Sequence, residues 1–176
     1  MKFISFNHDN SEKFGIIENN LITDLTGKID GALSLKELIK IKKIKDAKEY
    51  AKSNPGSIKP DQIKYSPLIP NPGKIICVGL NYSEHVKETN RTVEENPVIF
   101  HRFPESQTAH MQAIQRPTVS ESLDFEGEMA VVMDEGGKHI KPENALKHIV
   151  GFSCYNESTI RAVSYTHLTL PTIRSV

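Results

Sequence analysis

The chain has 176 residues, room for one ordinary domain or one and a half. Its 22 Lys and Arg balance its 22 Asp and Glu, so no global field recruits nucleic acid or an anionic membrane surface. No apolar run reaches the length of a membrane span, and "MKFISFNHDN" lacks a signal-peptide core, so the expectation is a cytoplasmic protein with neither a membrane nor a nucleic-acid partner. Cys77 and Cys154 sit singly in apolar stretches and read as buried, reduced thiols. The seven histidines fall in no H-E-x-x-H or C-x-x-C context, so zinc is not signalled.

In chain order, "KFISF" predicts a short strand, and "KFGIIENNLITDL" a hairpin turning at Asn19-Asn20, residues that tolerate positive φ. "LSLKELIKIKKIKDAKEYAK" predicts one helix, with Ser34 as its cap and Glu37 completing a capping box. Leu35, Leu38, Ile41 and Ile44 give it an apolar stripe, and its lysines read most simply as a solvated face. Pro55, Pro60, Pro67, Pro70 and Pro72 then forbid long regular structure and mark a boundary between two units. Beyond it, "KIICVGL" reads as a buried strand, "NYSEHVKETN" as a helical turn, and "NPVIFHRF" as another strand. "DFEGEMAVVM" is a strand, "IKPENALKHI" a short helix with Pro142 at its start, and "VGFSCYNES" a closing strand.

The stretch "LDFEGEMAVVM" joins acid to apolar sequence. Alternation puts Glu126 and Glu128 on one face with Ala130 and Val132. Taken alone, E-x-E is more often a solvated strand face. The unbroken apolar continuation argues for a covered sheet, and burying two carboxylates there without positive charge costs several kcal/mol each. Glu157 ends a second apolar strand. Three carboxylates converging from two strand ends would make an oxygen-rich site for a hard cation such as Mg2+ or Mn2+. His85 and Glu88, spaced i, i+3, share one face of a helical turn. Such a pair is usually a surface ion pair; in a site, the carboxylate orients the imidazole to take a proton from water. Tyr82 near it reads as a packed aromatic or a pocket wall, and Arg102 as facing either the site or solvent.

Together, "KIICVGLNYSEHVKE", "PVIFHRFPES", "LDFEGEMAVVM" and "HIVGFSCYNESTIR" resemble, in order and spacing, the fumarylacetoacetate hydrolase family. The similarity is greatest to bacterial members related to 2-oxo-hept-3-ene-dioate hydratase/isomerase and acylpyruvate hydrolase. It implies an α+β protein, with a small N-terminal β-rich domain and linker at 1–70. The first half of a mixed β-sheet roll would follow at 71–161. It implies metal ligation by Glu126, Glu128 and Glu157, a water-activating His85–Glu88 dyad on a lid, and a substrate carboxylate contact from Arg161. Many members carry Asp where Glu157 stands. The implied activity is cation-dependent hydrolysis of a C–C bond in an acylpyruvate-like or fumarylacetoacetate-like 2-oxo or diketo acid, by a homodimer. Decarboxylation or isomerisation of a 2-oxo dicarboxylate is the alternative within the family, and a catalytically silent metal-binding fragment the alternative outside it. After Arg161, "AVSYTHLTLPTIRSV" lacks the family's expected continuation and resembles translated adapter sequence. The expectation is therefore a truncated family member with a non-native tail at 162–176.

Overall fold

The computed structural model describes residues 1–82 and 96–161. Strands β1 (Lys2–His8), β2 (Ser11–Glu18) and β3 (Leu21–Asp24) form a meander, and β4 (Lys64–Ser66) returns antiparallel to β1, giving the order β3-β2-β1-β4. Both connections are two-residue turns with positive φ at both positions: Asp9 and Asn10, then Asn19 and Asn20. Such turns match the twist of paired strands, and short polar side chains adopt them at low cost. The Asn19-Asn20 hairpin is as the sequence predicts, and Asp9-Asn10 adds a second.

The predicted single helix is two. Helix α1 (Leu35–Lys40) stops, Lys42 takes φ 59°, and α2 (Ile44–Ser53) begins on a new axis. The cause is phase. Leu38 is fully buried in α1 and Ala47 in α2, yet on one straight helix they would lie about half a turn apart. Breaking the helix turns both toward the same core, and Ile41 is left exposed. Ser34 caps α1 by accepting the Glu37 amide at 3.2 Å, while the Glu37 carboxylate reaches back to the Leu33 amide at 2.7 Å. The core of this unit gathers Phe14, Ile16 and Leu25 from sheet and loop with Leu35, Leu38 and Ala47 from the helices.

After the proline-rich link the chain makes three antiparallel pairs. Strand β5 (Ile75–Gly79) pairs with β6 (Val98–Arg102). Strand β8 (Gly127–Met133) pairs with β9 (Ile149–Asn156), and the short β7 (Leu123–Asp124) with β10 (Thr159–Ile160). The predicted "DFEGEMAVVM" strand is thus interrupted at Phe125 and Glu126, where the chain passes from one pair to the next. The helix over "IKPENALKHI" is a single turn, Pro142–Ala145, followed by a 3-10 turn. Val132 and Val150 pack against the N-terminal core, so the β8–β9 hairpin is braced by the first unit. Lys42 adds an exposed ion pair to Glu135 at 3.0 Å.

The strands expected to be buried are covered on one side only. Burial alternates along β5 and β8, and the outward residues include Ile76 at 61% exposure and Met129 at 62%.

Candidate functional site

Residues of β5, β6, β8 and β9, from both faces of these ribbons, line one broad open cavity. On β8, alternation aims Glu128 inward with Ala130 and Val132, as predicted. Glu126 precedes the strand and is fixed through its backbone: its amide donates to Asn156 Oδ1 at 3.0 Å, and its carbonyl accepts the Glu157 amide at 2.8 Å. These bonds hold Glu126 and Glu157 side by side where the chain leaves the β8–β9 ladder. Tyr82 Oη donates to Glu128 Oε2 at 3.4 Å, so Tyr82 reaches the site rather than packing in a core.

The positive charge beside these acids comes from arginine. Arg161 donates from Nε to Asp124 Oδ2 at 2.7 Å, and its Nη2 stands 3.5 Å from Glu126 Oε1. Arg102, at the end of β6, directs Nε and Nη2 onto Glu157 Oε1, and Nη2 also donates to the Ser158 carbonyl at 3.0 Å. Arg102 therefore faces the site. Its signal in the sequence was alternation in "VIFHR", which puts it on the half-buried face with Phe100.

Burial pushes the Glu157 carboxyl above the ordinary carboxylate range; Arg102 opposes this, and the charges of Glu126 and Glu128 add to it. Burial likewise raises the Cys77 thiol and the Tyr155 hydroxyl, both of which sense Glu157 and Arg102. Cys77, Asp124 and Tyr155 also line the cavity, and Asn156 braces Glu126. All four lie within the quoted motifs, but the sequence reading gave none of them a site role, and Cys154, expected buried, is exposed.

The three glutamates fit a hard cation in kind, being carboxylates that share a cavity and feel one another's charge. Their arrangement differs from the convergence predicted. Among the described residues, no three His, Cys, Asp or Glu side chains are gathered closely enough to hold a metal ion. Glu157 is engaged instead by Arg102, and Glu126 stands beside Arg161. His85 and Glu88 lie outside the described residues.

Residues 74–175 match the family model for the fumarylacetoacetate (FAA) hydrolase C-terminal domain. The chain belongs to the fumarylacetoacetate hydrolase family. The match continues past Arg161 across the stretch expected to be foreign. Among curated relatives, the chain is 36% identical over 118 residues to mitochondrial oxaloacetate tautomerase fahd2 of Xenopus laevis, covering 67% of this chain and 37% of that protein. It is 38% identical over 100 residues to mitochondrial oxaloacetate tautomerase Fahd2a of Rattus norvegicus, covering 57% of this chain and 32% of that protein. The chain thus spans about a third of the length of these relatives.

Among solved structures, fumarylacetoacetate hydrolase from Exiguobacterium antarcticum superposes with a TM-score of 0.78 at 29% identity. That alignment covers 96% of this chain and 59% of that one. Maleylpyruvate hydrolase from Sphingobium, solved with manganese(II) and pyruvate, superposes at 0.74 and 18% identity, covering 92% and 60% of the two chains. The latter likeness establishes the shared fold alone. The α+β class is therefore as the resemblance implied.

Proposed function

We propose that the whole protein acts on a small 2-oxo acid through its enol form, with a divalent cation, Mg2+ or Mn2+, held by Glu126, Glu128 and Glu157. The observation that carries this reading is the cavity in which these carboxylates stand beside Arg102 and Arg161. When bound, the cation would polarise the two oxygens of the 2-oxo acid and stabilise negative charge on them. Around it, Arg161, which lines the cavity, would meet a substrate carboxylate with its guanidinium. Tyr82, hydrogen-bonded to Glu128 and lining the cavity, would orient the Glu128 carboxylate. His85 would carry the proton, steadied by Glu88.

Two outcomes share this enol chemistry. Tautomerisation or isomerisation needs only proton transfer, and it is favoured by the relatives named oxaloacetate tautomerases, at 36% and 38% identity. C–C hydrolysis of an acylpyruvate-like or fumarylacetoacetate-like substrate needs an activated water as well, and is supported by the Exiguobacterium hydrolase at 29%. The test uses the complete protein with Mg2+ and with Mn2+ on oxaloacetate, acylpyruvates and fumarylacetoacetate-like diketo acids. Cation-dependent conversion of oxaloacetate between keto and enol forms, faster than any C–C cleavage, is the expected result. Turnover that persists after chelation, or inertness toward every 2-oxo acid, would contradict the proposal. His85→Ala should lower any hydrolysis about a hundredfold, the usual scale of a lost general base.

A further inference from the structure

Among the described residues, most non-glycine positions with positive φ are explained by residue type or place. Asp9, Asn10, Asn19, Asn20 and Asp30 carry short polar side chains in turns, Lys42 marks the break between α1 and α2, and Met111 and His139 are exposed. Leu80 is different. It takes φ 55° directly after β5, half-buried in the cavity wall, where a bulky apolar side chain makes that conformation unfavourable. The conformation changes the phase of the chain. Along β5, Ile75, Cys77 and Gly79 are half-buried, while Ile76 and Val78 are exposed. Continued alternation would place Leu80 and Tyr82 on the outer face with Ile76 and Val78. Instead the ladder with β6 ends at Gly79, Leu80 turns half-buried, and the Tyr82 hydroxyl stands 3.4 Å from Glu128 Oε2, on the inward face of β8.

We infer that Leu80 is a positioning residue: its left-handed backbone reverses the phase of the chain leaving β5 and delivers the Tyr82 hydroxyl to Glu128. Its effect on turnover rests on the proposed role of Tyr82 at Glu128; the placement of Tyr82 does not. Backbone held in a sparsely populated region persists only where its surroundings over-determine it, and such positions gather at functional sites. The backbone conformation, not the apolar side chain, is what Tyr82 depends on. Glycine enters this region freely and asparagine at low cost, whereas branching at Cβ makes isoleucine the poorest fit. Apolar packing would rank the same residues in the opposite order, because isoleucine matches leucine in volume and is the mildest replacement in a packed wall.

The test compares wild type, L80G, L80N, L80I, Y82F and the double variant L80I/Y82F, each as the whole protein. Magnetic resonance with labelled tyrosine and glutamate reads the contact between the Tyr82 ring and the Glu128 side chain, urea denaturation reads folding, and oxaloacetate is the substrate for turnover. L80G and L80N should keep the ring contact, and L80I should lose it. Turnover in L80I should fall to the level of Y82F, with L80G and L80N retaining more, and the double variant should be no slower than Y82F, because Leu80 acts through Tyr82. If L80I does not fold, L80A takes its place, and its ring contact should be weaker than that of L80G. A contact kept in L80I, or lost in L80G and L80N, would overturn the inference, as would L80A and L80G with equal contacts. A double variant slower than Y82F by the full L80I factor would also overturn it. Y82F with undiminished turnover, or a wild type inert toward oxaloacetate, would instead overturn the proposed site reading, and the ring contact would still decide the inference.

Discussion

At the residue scale, the chain handles its buried acids with named partners. Asp24 is the plainest case outside the site. Burial alone would raise its carboxyl, but Lys13 at 2.8 Å and the Thr26 amide at 2.9 Å outweigh that and hold it below the ordinary carboxylate range. A lowered folded-state value stabilises the fold above the unfolded value, and that stability is lost as pH falls through the folded one. Asp24→Asn should therefore cost about 1–2 kcal/mol at neutral pH and flatten the acid limb of the stability curve, as measured by urea denaturation at several pH values. A variant with unchanged acid sensitivity would show that Asp24 contributes nothing there. Alternation was enough to place Glu128 in the cavity from sequence, because β8 keeps its period. Alternation also puts Arg102 on the half-buried face of β6, but it does not reveal the pairing with Glu157, 55 positions away, which only folding brings about.

At the element scale, what was legible followed local chemistry. Asn pairs dictate turns, Ser34 dictates a helix start, and both stand where the sequence put them. The break between α1 and α2 was hidden because a lysine-rich run looks helical at any phase; only the shared core decides that Leu38 and Ala47 must face the same way. Two predictions follow from this packing. Ser34→Ala should cost about 1 kcal/mol by loss of the cap. Leu38→Ala, at a fully buried position, should cost about 2–5 kcal/mol, and equilibrium denaturation measures both. Because Val132 and Val150 lean on this same core, Leu38→Ala should also loosen the β8–β9 hairpin, seen as faster amide exchange at Ala130 and Ser153. Unchanged exchange there would show that the first unit does not brace the site.

At the scale of the whole molecule, the second unit leaves apolar side chains on its outer faces: Ile76 and Ile99 on one ribbon, Met129 and Phe152 on the other. Exposed apolar area of this kind drives association. The polypeptide of 176 residues should therefore bind a hydrophobic dye and self-associate, as read by dye fluorescence and gel filtration. A monomeric, dye-silent chain would contradict this. Family membership was legible from four short motifs, since their order and spacing survive where overall identity is modest. The contacts among the acids were not, because a sequence states charge and not which charge is nearest. If the carboxylates of this cavity hold a divalent cation, as proposed, calorimetric titration of Mn2+ into the protein, wild type against Glu128→Gln, will show it. Saturable binding weakened at least about tenfold in the variant, with loss of the cation's thermal stabilisation, is the predicted result. Equal affinity in the two proteins, or no binding to wild type, would contradict it.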